Sequence, residues 1–170
     1  AFDALRTADP GDPFLGRINV YDDPEEQATE DLALQIGNLP KRRKAVRPED
    51  PFELYLVDCD GPPMVHVARN LRCEIVVFGR NQKLLTPAVL GAGGPILLNA
   101  AEGDQLIQIS RIDATSLDGR ENRVTCPTDL GVVVRQVAQL GATYPDIVEM
   151  LTAAFKQKNL QGPLVVDAVP

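Results

Sequence analysis

The chain has 170 residues, with 24 acidic side chains against 17 basic ones and a formal net charge of −7. That length holds one or two domains with a proper hydrophobic core and no need of metal or disulfide staples. The acidic balance argues against a general nucleic-acid binder, and no apolar run approaches the ~18 residues that span a bilayer.

Hydrophobic residues make up 44% and charged residues 24%, the proportions of a soluble globular fold. His66 is the only histidine, so metal and acid–base chemistry have little to work with. Cys59, Cys73 and Cys126 form no CxxC pair and allow one disulfide at most. They read as small core residues. The chain starts on Ala1 rather than Met, which fits removal of a signal peptide or of a preceding domain.

Residues 1–51 are broken by Pro10, Pro13, Pro24, Pro40, Pro48 and Pro51 and read as an arm or linker. One helix is predicted inside it, from Pro24 to Ile36. Asp23 caps it, Glu25 and Glu26 favour its positive end, and Ala28, Leu32 and Ile36 form a narrow apolar stripe before Gly37. Lys41, Arg42, Arg43 and Lys44 follow as a dense basic run. It is a candidate contact for an acidic partner, for peptidoglycan carboxylates or for an acidic patch on a neighbouring copy; otherwise it is a solvated loop.

From Phe52 to Pro170 the texture is that of a globular domain. Strands are predicted over Phe52–Val57, Cys73–Phe78, Ile96–Leu98, Gln105–Ile112 and Asn122–Cys126. The run from Gln105 alternates polar and apolar residues, so one of its faces is buried and one wet. Connections too short for crossover helices favour antiparallel pairing. Asp58-Cys59-Asp60-Gly61 lacks the later oxygen ligands of a calcium loop and reads as a turn. Gly91-Ala92-Gly93-Gly94 is followed by Pro95 rather than by a helix with Lys-Ser/Thr, so it reads as an inter-strand loop and not a phosphate cradle. His66, in Met64-Val65-His66-Val67, reads as a partly buried structural histidine.

Two helices close the chain. Leu130, Val133, Val134, Val137 and Leu140 share one face of a helix starting near Thr128 or Asp129, with Gly141 as its stop. Thr143 and Asp146 open the next as a capping box, Ile147, Val148, Leu151, Ala154 and Phe155 form its apolar face, and Asn159 is placed at a positive-φ end. Leu164-Val165-Val166 returns as a strand. The whole is predicted as α+β: a mostly antiparallel sheet with a helical hairpin packed on it, preceded by an irregular arm containing one helix.

The segment from Leu130 to Lys156 resembles the C-terminal end of the bacterial flagellar basal-body P-ring protein family. The matching positions are Val133, Val137, Leu140, Gly141, Thr143, Asp146, Ile147, Val148, Leu151, Ala154 and Lys156. They spell an apolar helix ending in Leu-Gly-x-Thr, then a helix opened by Asp and two apolar residues, then a short apolar strand.

The resemblance covers about a quarter of the chain and implies a non-enzymatic structural subunit. Such a subunit is exported to the periplasm, self-associates into a ring around the flagellar rod, and lies against peptidoglycan. The family's mature proteins are longer, so a shortened or divergent relative is implied. No cofactor, metal or catalytic residue is expected. The rival reading is a ligand- or protein-binding module of a larger secreted protein. A small hydrolase, the third, needs distant residues such as Cys73 and His66 to meet as nucleophile and base.

Overall fold

The computed structural model describes residues 15–18, 20, 51–68, 73–112 and 122–167. The predicted helix at 24–36 and the basic run Lys41–Lys44 lie outside them.

Among the described residues, nine strands and two helices follow in the order β1 (Leu15–Ile18), β2 (Glu53–Val57), β3 (Met64–Ala68), β4 (Glu74–Phe78), β5 (Ala88–Ala92), β6 (Ile96–Ala100), β7 (Leu106–Arg111), β8 (Asn122–Pro127), α1 (Leu130–Gln139), α2 (Tyr144–Lys156) and β9 (Leu164–Val166). The fold is α+β. Its strands form two sheets: a mixed one in the order β1-β2-β4-β3-β9 and an antiparallel meander β5-β6-β7-β8. β1, from the segment read as an arm, pairs antiparallel with β2, and Val20 just beyond it is buried in the core.

Antiparallel pairing dominates, but β2 runs parallel to β4 and β3 parallel to β9. No crossover helix is needed for the first of these. The chain leaves β2, skips one strand position to form β3, and turns back as β4 into the gap. β4 is therefore antiparallel to β3 and parallel to β2. Strand β3 was not predicted, because its central His66 hides an alternation in which Val65 and Val67 face the core.

Gly91 and Ala92, predicted as loop, are the last residues of β5. Leu90 and Ala92 are buried there, and Gly91 pairs with Leu97. The reversal is confined to Gly93, Gly94 and Pro95, with Gly93 at φ +67°.

One continuous core draws Leu54, Val65, Val67, Ile75 and Val77 from the first sheet and Leu90, Leu98, Ile107 and Ile109 from the second. Val133, Val134, Val137, Ile147, Met150 and Leu151 join them from the helices. The hairpin touches both sheets. Any Cβ on Gly131 of α1 would meet the Leu56 side chain of β2, and Phe52 lies 5.8 Å from the Tyr144 ring. Tyr144 Oη donates to the backbone oxygens of Ala68 and, at 3.2 Å, of Glu74.

Candidate functional site

The hairpin's ends are fixed by local chemistry. Asp129 caps α1 by accepting from Val132 N at 3.1 Å. The helix closes with Gly141 at φ +94°, its amide donating to Ala138 O, while the amide of Ala142 donates to Val137 O. That reciprocal pair satisfies two of the carbonyls a helix end leaves orphaned. Arg111 of β7 reaches a third, donating to Leu140 O. Thr143 is the cap of α2, and Asp146 Oδ2 accepts from its amide at 2.8 Å and its hydroxyl at 2.6 Å.

Each of the eleven positions on which the resemblance was drawn has a visible structural task. Val133, Val137, Ile147, Val148, Leu151 and Ala154 are buried, and Leu140 packs against the core. Gly141 turns the chain, Thr143 and Asp146 cap, and Lys156 sits in the last turn of α2, where its charge suits the negative end of the helix.

Asn159 requires a correction. The left-handed residue after α2 is Lys158, at φ +63°. Its amide donates to Phe155 O and that of Asn159 to Ala154 O, which closes the helix one residue earlier than predicted. Asn159 is instead buried, and its Nδ2 donates to Leu85 O at 2.8 Å and Pro87 O at 2.7 Å. It ties the hairpin to the segment entering β5.

A cleft of about 240 Å³ opens at the carboxyl ends of the parallel strands β2 and β4. Leu56, Val57, Asp58, Gly79, Arg80 and Gln82 line it, together with Asp129 and Gly131 from the start of α1. Crevices at the carboxyl ends of parallel strands are common ligand positions in open sheets. Here the turn Gly79-Arg80-Asn81 has positive φ at Gly79 (+108°) and Asn81 (+51°), which brings Arg80 over the preceding loop. Arg80 Nε lies 2.7 Å from Asp58 Oδ1 and its Nη2 lies 3.5 Å from Asp60 Oδ1. The two carboxylates that suggested a calcium loop are therefore paired with a guanidinium. Buried Gln82 donates to Met64 O at 3.1 Å and to Phe78 O, leaving its Oε1 without a hydrogen-bond partner.

His66 lies on the face of the first sheet away from the main core, and its Nε2 is 2.8 Å from Asp167 Oδ1. The contact ties β3 to the residue after β9. Cys73, the nucleophile a hydrolase would need, packs against the main core instead. Cys126 points inward from β8 and is buried. Burial first, and the Asp129 carboxylate second, push its thiol up to about 11, so it stays protonated at neutral pH. All three cysteines are free thiols. Among the described residues no group of three or more His, Cys, Asp or Glu side chains is placed to hold a metal ion, and no helix is long and apolar enough to cross a membrane.

Asp167, Gln82 and Arg111 were not singled out from the sequence. Their partners are 101, 18 and 29 residues away, beyond any local pattern. The described residues form an α+β protein whose helical hairpin packs against both sheets. No protein-family model, curated protein or solved structure matches the chain.

Proposed function

We propose that the chain is a non-enzymatic structural subunit of the P-ring kind, exported to the periplasm, where copies associate with one another around a flagellar rod and against peptidoglycan. The observation that carries this reading is the hairpin. Ten of the eleven positions that carry the resemblance to the P-ring family's C-terminal end cap, turn or bury the hairpin, and the eleventh, Lys156, is an exposed charge at the end of α2. A motif made mostly of caps and core residues specifies a shape, and a shape is what an assembly subunit contributes. Cys73, which a hydrolase would pair with His66, packs against the core, and His66 is paired with a carboxylate rather than with a nucleophile.

The test is size. Light scattering of the full-length protein over a wide concentration range would give a mass rising to a multimer; a strict monomer throughout would sink the proposal.

The cleft beside Arg80 favours a second reading, a binding module of a larger secreted protein. Such a module would show saturable shifts in its melting temperature with one small polar ligand and no self-association.

A further inference from the structure

We infer that the outer face of the first sheet is the docking surface for this chain's own segment 21–50, with the apolar stripe predicted at Ala28, Leu32 and Ile36 set against Tyr55, Val57 and Val76. Such a contact lies within one copy and is independent of assembly.

Strand alternation puts Leu54, Ile75, Val77, Val65 and Val67 on the face that meets the helices and the second sheet, and Tyr55, Val57, Val76 and His66 on the other. A sheet packed on one side ordinarily keeps its other face wet. Here Val76 is 1% exposed, Tyr55 5% and Val57 7%. They form a second apolar cluster with Phe78 and Cys59, to which neither helix nor the second sheet contributes.

The burial has a direction. One row of side chains crosses the sheet from Tyr55 on β2, through Val76 on β4 and His66 on β3, to Val165 on β9. Tyr55 and Val76 are buried, His66 is half-buried and Val165 is exposed. What covers this face therefore sits over β2 and β4 and does not reach β9.

Chain geometry names the occupant. Ile18 pairs with Leu54, so β1 ends where β2 begins, and Val20 and Phe52 just outside that pair are both held in the main core. The 30 residues between Val20 and Pro51 leave from and return to this one corner, on the buried side of the row. The inner face is already filled there, which leaves the outer one. A helix over 24–36 is about 20 Å long at ~1.5 Å per residue, enough to cross β2, β4 and β3 at their ~4.8 Å spacing. Its polar positions would stay in water while the stripe faces the sheet. The connections 69–72 and 113–121 carry one leucine each, too little apolar surface for such a contact.

Alkylation of a thiol placed at the centre of the face tests this in the full-length protein. The thiol introduced by Val76→Cys should react slowly with iodoacetamide, and adding Leu32→Gln and Ile36→Gln should speed labelling at position 76 about tenfold or more. Cys126, buried in the main core, is the internal control and should keep its rate. Fragment-ion mass spectrometry separates position 76 from Cys73. Should a variant lose the fold by circular dichroism, Val57→Cys replaces Val76→Cys and Leu32→Gln alone replaces the pair. Equal labelling at position 76 with and without the polar stripe overturns the inference and leaves the face to residues 1–14. Protection that fades as the protein is diluted from high micromolar to nanomolar overturns the own-chain occupant, since a segment reaching across from another copy would behave so.

Discussion

Gly93 lies against the carboxylate of Asp146, so that a Cβ on the glycine would stand 2.7 Å from Asp146 Cγ and Oδ1. The β5–β6 turn is thereby seated on the first turn of α2, and the capping residue of the hairpin also sets how closely the second sheet approaches. Gly93→Ala introduces both this collision and a non-glycine residue at φ +67°, with an expected cost of about 1–3 kcal/mol. Asp146→Ala alone loses a cap, about 1 kcal/mol. Combined, the two changes should cost less than their sum, because removing the carboxylate relieves the collision. Urea unfolding of the four proteins in this cycle measures the coupling; strict additivity would contradict the contact.

Lys158 and Asn159 exchange the roles that residue preference assigns them, and substitution separates the two. Lys158→Gly should stabilise the protein by about 0.5–1 kcal/mol, since glycine is the residue best suited to φ +63°. Asn159→Gly should destabilise it by about 1–3 kcal/mol, because Leu85 O and Pro87 O lose their shared donor. Thermal unfolding of the two variants gives opposite shifts on this account.

Cys126 makes stability fall at alkaline pH. Its folded-state pKa, about 11, is raised above the ordinary 9.0. The unfolded chain therefore releases the thiol proton first as pH climbs. Stability from this group is fully present below about pH 9 and is lost as pH rises towards 11, by about 2 kcal/mol. Comparing unfolding free energies at pH 8 and pH 10.5 for the parent and for Cys126→Ala isolates the effect. The parent should show the steeper loss, and equal slopes would contradict the burial of the thiol.

Lys41, Arg42, Arg43 and Lys44 are the densest basic run of an acidic chain. If they touch peptidoglycan carboxylates, replacing all four with Gln should lower co-sedimentation with purified sacculi by roughly tenfold at low salt, since each exposed pair is worth under ~1 kcal/mol. Binding of the parent should fall with added salt. Equal binding by the parent and the fourfold variant would assign them to a solvated loop.

Much of the hairpin was legible because its determinants lie within one or two helical turns of each other: Asp129 with Val132, Thr143 with Asp146, Leu140 with Gly141. The alternation of β7 was legible for the same reason, since it needs only one strand. What escaped is long-range. The parallel pairing of β2 with β4 depends on where β3 goes, and β9 pairs with β3 across about a hundred residues of sequence. Gly162 illustrates the limit. In sequence it is a turn residue before Pro163, yet a Cβ there would fall 1.8 Å from Pro63 O, so its smallness is dictated by the residue just before β3, about a hundred positions upstream. The cleft beside Arg80 was invisible for a related reason, being assembled from β2, β4 and α1 at once.

A multimeric scaffold, the role proposed for this chain, has a shape that can be imaged. Negative-stain electron microscopy of the full-length protein, at concentrations where light scattering reports a multimer, tests it most directly. A ring subunit should give closed, ring-shaped particles of repeating units. Single copies at every concentration, or irregular aggregates without a repeating subunit, would contradict it.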